Sequence, residues 1–357
     1  MPEVEMSEEL IRLIMRQGLG PLVFPRVLTD EWMSGLGDEW RVQMKAVCVQ
    51  NMQMQAKMRM IQEQAWKALE DAGIKAVLMK GFGLAQYYPS PEQRQWGDID
   101  LYVGPEQYHP ACAVMRETFP DALKFDEELD HYKHYNLIAD GVSIETHRVS
   151  VGLTHPADVR RYQRMESAGM AKSEKLVLGG LEVRVPEPTF NALMVFLHAW
   201  EHMISSGANI RQLCDLALLL HHEQERIDWK RLERWLKALK AWDVWQVYMI
   251  MLKHNLGLEV SGLEVRGLEV SGLEVRGERL MEALLRGESF EGTRAASATG
   301  QPKTYRNRFV RKWHTMQVRR ANAEWVAQFS PAYARHMKAA IWLSGLARLF
   351  APDRHWE

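Results

Sequence analysis

Two short stretches hold the side chains best suited to chemistry, Asp98-Ile99-Asp100 and Ser143-Ile144-Glu145-Thr146-His147. In a β-strand, residues two apart share a face, so Asp98 and Asp100 project together, roughly 7 Å apart along the chain, while Ile99, Leu101 and Val103 turn inward. The same alternation sets Ser143, Glu145 and His147 against Val142 and Ile144. Three carboxylates on neighbouring strands repel one another unless a cation lies between them, and Mg²⁺ prefers such an all-oxygen setting. Two ions about 4 Å apart lower the pKa of an attacking hydroxyl and neutralise a leaving pyrophosphate, the logic of phosphoryl and nucleotidyl transfer. Paired surface aspartates are also common as a plain solvated face, so the acids by themselves leave both readings open.

Upstream, Gly81 and Gly83 permit close approach of the backbone to phosphate, and Lys80 adds a flexible positive charge, although a Lys-Gly turn can equally just end a strand. Arg94, four residues before Asp98, suits a bidentate phosphate clamp or a carboxylate pair. Downstream, His198-Ala199-Trp200-Glu201-His202 has the H-x-x-E-H spacing in which two imidazoles share zinc and a glutamate activates water. No supporting zinc-protease motif follows it, so His198 and His202 are expected to pack or hydrogen-bond near the cleft. Arg211 and Asp215 read as an i,i+4 ion pair or as part of an acceptor pocket.

Such residues need a scaffold. Ser7 to Gln17 and Trp40 to Ala72 place apolar residues every three or four positions, which predicts amphipathic helices, with Met44, Met52, Met54, Met58 and Met60 filling gaps between them. From Gly73 the texture is mixed. IKAVLMKG and GDIDLYV read as strands, Glu106 to Glu117 as a helix opened by Pro105, and HYNLIADGVSIETHR as a hairpin turning at Asp140-Gly141. A second hairpin turns at Gly179-Gly180. After Pro188 the chain is helical again, over Thr189 to Glu225, Trp229 to Leu256 and Val310 to Leu349. Residues 257–276 repeat GLEV with a period of five that matches neither helix nor strand, and read as a surface insertion. The expected fold class is α+β: an N-terminal helical segment at 1–72, a small mixed sheet with helices at 73–186, and a helical acceptor-binding domain at 187–357.

A chain of 357 residues can bury more than one core. With 45 basic and 46 acidic side chains, no whole-molecule field draws it to nucleic acid or an anionic bilayer. The basic segment 303–320 carries no acid and is a candidate contact for an anionic partner, or a solvated helix face. Cys48, Cys112 and Cys214 are odd in number and widely spaced, the N-terminus is acidic, and no apolar run of 18 residues occurs, which together predict a soluble cytoplasmic protein without a transmembrane segment.

LMKGFGLAQYYPSPEQRQWGDIDLYV followed by IETHR resembles the uncharacterised nucleotidyltransferase family of bacteria, whose signature is LKG…L…YP…R..GDIDLLV and then an IELHW-like strand. NALMVFLHAWEH, IRQLCDLALLL and IDWKRL are similar to that family's downstream H…H…LR.L.DL…DW pattern, so the resemblance runs from about Ile74 to Leu256. It implies a minimal nucleotidyltransferase fold of the polymerase β superfamily. It also implies transfer of a nucleoside monophosphate from an NTP, ATP first among them, to a hydroxyl-bearing acceptor that the sequence does not identify. Asp98 and Asp100 match the metal-binding pair, Glu145 the third acid, and His147 the position beside it, so two Mg²⁺ ions are implied. Lys80, Gly81, Gly83, Arg94 and His147 then stand on the nucleotide side, while His198, His202, Arg211 and Asp215 support the site or face the acceptor. Phe82 stands where the wider superfamily often has Ser, and Thr146 and Arg148 depart from the LHW context. The alternatives are a catalytically inactive binding module of the same fold and, third, a zinc hydrolase using H-x-x-E-H.

Overall fold

The computed structural model describes residues 6–350 apart from 30–31, 34–35, 96, 126–128, 130, 154, 206, 261–269, 287–316 and 318. The fold is α+β. Its sheet comprises β1 (Val77–Met79), β2 (Asp98–Tyr102), β3 (Leu123–Lys124), β4 (His134–Ala139) and β5 (Val142–His147), in the order β1-β2-β5-β4-β3. The β2–β5 pair is parallel and the other pairs are antiparallel. Asp140 and Gly141 adopt φ of 49° and 76°, the positive pair that a two-residue type I′ turn requires, so β4 and β5 fold back as a tight hairpin. A separate hairpin of β6 (Glu174–Leu178) and β7 (Leu181–Val185) turns at Gly179-Gly180.

Alternation along the strands divides the interior. Leu78, Ile99, Leu101, Leu137 and Ile144 pack with Trp66 and Leu69 of α3 (Asp38–Asp71) and with Cys112 and Met115 of α5 (Gly104–Thr118). Val77, Met79 and Tyr102 point the other way, into a second core with α7 (Pro188–Ser205), α8 (Ile210–Glu223), α9 (Trp229–Ala238) and α10 (Trp242–Leu256). Asp98 and Asp100 share the face of Tyr102, so the acids lie where the sheet meets the helical half. The remaining helices described before the repeat are α1 (Glu8–Arg16), α2 (Gly20–Val27), α4 (Gly81–Ala85), α6 (Pro156–Met170) and a single 3-10 turn, Pro91–Gln93. Pro21 and Pro25 hid α2 from the periodicity reading, but Pro21 sits at its first turn, where no amide hydrogen bond is lost. No helix among the described residues is long and apolar enough to cross a membrane.

The reading of 257–276 as a surface insertion needs correction at its last residues, 270–276. Residues 261–269 lie outside the described residues, but the helix Val270–Leu285 begins inside the repeat. Leu273, Gly277, Leu280 and Leu284 follow helical spacing, and Leu273, Leu280 and Leu284 join the second core. The repeat's last leucine is thus in phase with the apolar stripe of the sequence that follows. A Cβ on Gly277 would meet Ile250 at 3.4 Å, which shows how closely this helix approaches α10. Most of the basic segment 303–320 also lies outside the described residues.

Candidate functional site

The parallel pairing sets Asp98 opposite Ser143, Asp100 opposite Glu145, and Tyr102 opposite His147. Register partners on parallel strands face the same way, so three carboxylates converge: ligand oxygens of Asp98, Asp100 and Glu145 lie within 4.8 Å of one another. Two cations reach into them. Lys80, at the end of β1, brings Nζ to 2.7 Å from Asp100 Oδ1. Its φ of 47° is uncommon for a residue with a Cβ and marks local backbone strain at this turn. The buried His147 places Nε2 3.0 Å from both Asp100 Oδ1 and Glu145 Oε2, with Nδ1 3.2 Å from the Val149 carbonyl. All three partners are acceptors, and an imidazole meets acceptors at both nitrogens only as the imidazolium.

The charges are strongly interdependent. Asp98 is pushed up to about 6, first by the charge of Asp100 and then by burial. Burial works to raise Asp100 too, but Lys80 and His147 outweigh it and hold that carboxyl well below its usual range. Burial likewise opposes the ionisation of Glu145, yet the His147 hydrogen bond brings it down to about 2. His147 and Lys80 are raised, the pull of the acids exceeding the penalty of burial. Three carboxylates thus face two cations. Oδ2 of Asp100 is buried and finds no hydrogen-bond donor among the described residues. A buried carboxylate oxygen without a donor, within a three-acid oxygen set, fits a hard divalent cation such as Mg²⁺.

Around this pocket the sequence expectations fall out differently. His198 Nε2 lies 3.4 Å from Lys80 Nζ; burial, then Lys80, drives His198 far down, leaving a neutral ring that accepts from the ammonium. The His202 ring stacks edge-on at 4.4 Å from that of His198. Glu201 is engaged elsewhere, with Lys133 Nζ at 2.9 and 3.1 Å, and no metal-holding group among the described residues includes His198, Glu201 or His202. The H-x-x-E-H zinc arrangement therefore does not assemble among the described residues, because the helix turns His198 to Lys80, His202 to the His198 ring and the glutamate to Lys133.

For Arg94 the carboxylate-pair alternative holds over the phosphate clamp, and Asp215 corrects the expected i,i+4 pairing with Arg211. Arg94 is buried, and its fork closes on Asp215, Nε to Oδ1 at 2.7 Å and Nη2 to Oδ2 at 2.8 Å; the Tyr88 hydroxyl adds a bond to Oδ1 at 2.8 Å. Its fork is occupied by a carboxylate instead of being offered to phosphate, and Asp215 takes Arg94 as its partner in place of the i,i+4 neighbour Arg211. Arg211 donates to the Gln95 carbonyl, and its charge acts on both Asp98 and Asp215, so it is a guanidinium beside the acid pocket. Gly81 follows Lys80 into α4 with φ of 34°. A Cβ on Gly83 would meet Val185 at 3.5 Å and the Leu78 carbonyl at 3.7 Å, ordinary van der Waals contact beside β7.

His134 escaped the sequence reading. Its ring lies 4.9 Å from that of His147, its Nδ1 is 3.4 Å from Glu145 Oε2, and burial and then His147 pull it down to about 3. The signal was available: a two-residue turn after Ala139 pairs Ala139 with Val142 and therefore His134 with His147.

A family model described as an uncharacterised nucleotidyltransferase matches residues 5–257, more than half of the chain. Among solved structures, an antigenic nucleotidyltransferase-like protein from Paracoccidioides brasiliensis is similar over 57% of this chain and 92% of that chain, with 16% sequence identity and a TM-score of 0.33. No curated protein matches.

Proposed function

Since the chain belongs to the uncharacterised nucleotidyltransferase family, we propose that it moves a nucleoside monophosphate from an NTP to an acceptor hydroxyl at the Asp98, Asp100 and Glu145 cluster. The observation that carries this reading is Asp100 Oδ2, buried and without a donor beside two further carboxylates. Asp98, Asp100 and Glu145 would hold Mg²⁺, which when bound neutralises phosphate charge and acidifies a hydroxyl. ATP is the first donor to test.

In the transfer, the acceptor oxygen bonds to the α-phosphorus as the bond from that phosphorus to the pyrophosphate oxygen breaks. Glu145 is the more open of the paired acids, its side chain 20% exposed against 1% for Asp100, and would help take the proton of an acceptor hydroxyl that the metal acidifies. Lys80 would exchange Asp100 for the leaving pyrophosphate, with neutral His198 keeping the ammonium oriented, and Arg211 would add a second positive charge. The Arg94–Asp215 pair holds α8 against the turn that leads into β2. Asp98→Asn removes a ligand at nearly constant volume, so it should lower transfer of label from NTPs into acceptors of a cell extract by about a thousandfold with the circular dichroism spectrum unchanged. Wild-type rates in that variant would overturn the assignment.

One observation favours a second reading, a binding module without transfer: the Lys80–Asp100 contact already neutralises part of the pocket. Melting temperature measured against Mg²⁺ plus a non-hydrolysable NTP separates transfer from a module that holds a partner other than nucleotide, because a ligand held only by the native state raises it, and label transfer separates the enzyme from a module that only binds nucleotide. No rise at saturation favours the binding module.

A further inference from the structure

His155, Asp158 and His336 form a cluster that the transfer chemistry does not use. His155 is the N-cap of α6 and Asp158 lies in that helix's first turn. His336 belongs to the helix Pro331–Phe350, 178 residues beyond Asp158 and outside the family match. The two imidazoles stack with centroids 4.2 Å apart, His336 Nε2 is hydrogen-bonded to Asp158 Oδ2, and one ligand atom from each of the three lies within 4.8 Å of the others. Asp158 is 5% exposed, and Arg161 holds its other oxygen at 2.9 Å, which orients Oδ2 toward the histidines.

The donor set differs in kind from Asp98, Asp100 and Glu145, although His134, Glu145 and His147 beside them offer two imidazoles and a carboxylate as well. Two imidazole nitrogens with one carboxylate oxygen suit a borderline cation such as Zn²⁺, whereas Mg²⁺ prefers oxygen throughout. The same three side chains line a small cavity whose other walls include Leu197, Leu239 and Tyr333, so the donors face a space and not packed side chains. His155 Nδ1 accepts the Ala157 amide, and zinc taking that lone pair exchanges a capping bond for a metal bond. We propose that His155, Asp158 and His336 bind one Zn²⁺, fastening the helix Pro331–Phe350 to the start of α6.

The test uses the untagged full-length chain, stripped with a chelator and dialysed against Zn²⁺ in millimolar Mg²⁺. Elemental analysis should find one zinc per chain, and X-ray absorption of the loaded wild type should show two imidazole ligands and no sulfur. His155→Ala and His336→Ala should each weaken zinc binding at least about a hundredfold, while Asp98→Asn and His134→Ala leave it unchanged. Substoichiometric zinc in the wild type, a spectrum without imidazole, undiminished binding in a folded double variant, or loss of zinc in Asp98→Asn or His134→Ala would each overturn the proposal.

Discussion

The Asp215 cluster and the Asp100 cluster are both buried, both built on carboxylates, and both lie between the sheet unit and the helices, yet they end in opposite states. At Asp215 both oxygens are met: Arg94 binds bidentately and Tyr88 completes the set. At Asp98, Asp100 and Glu145 the negative charges outnumber Lys80 and His147, and one Asp100 oxygen has no donor. A satisfied buried pair is a joint, and removing one member is costly because the other is left charged in a poor solvent. An over-acidic cluster weakens the empty protein and is rewarded only by a cation.

The sharpest way to break this comparison is to treat both clusters alike. Asp215→Ala should cost about 3–5 kcal/mol, read as a lower denaturation midpoint in urea, because Arg94 is stranded. Asp98→Asn should instead raise the stability of the metal-free protein by about 3 kcal/mol at pH 7. The sign follows from Asp98 titrating near 6 against an ordinary 3.8: the folded chain binds that proton more tightly, so stability falls as pH rises through this window. The variant's advantage should therefore vanish below about pH 4. Equal destabilisation by both substitutions would erase the distinction. Affinity for Mn²⁺, used as a spectroscopic substitute for Mg²⁺, should climb about tenfold per pH unit up to pH 6 and then level off, since binding requires ionised Asp98. At the small end, Lys175→Ala breaks an exposed pair with Glu182 at 2.6 Å and should shift stability by less than about 0.5 kcal/mol.

The same contrast explains what could be read in the sequence. Strand alternation and a turn chemistry that admits one conformation placed Asp98, Asp100, Glu145 and His147 on shared faces without reference to anything distant. His134 obeyed the same local rule and could have been found by it. Arg94 and Asp215 are 121 residues apart, and no local pattern distinguishes a guanidinium that will meet a phosphate from one that a distant carboxylate will claim. Periodicity also misjudged the GLEV repeat, because it compared the repeat with ideal periods in isolation, whereas Leu273 acquires its phase from Gly277, Leu280 and Leu284 beyond the repeat's end.

The turn at Asp140-Gly141 sits at the opposite end of β5 from His147, yet it acts as the ruler for that strand. One extra residue there would have to be absorbed as a bulge or passed along the ladder, and in the latter case Glu145 and His147 would swap faces together. A loop open to solvent is thus length-locked by chemistry several residues away, and a library that varies its composition should be far better tolerated than one that varies its length.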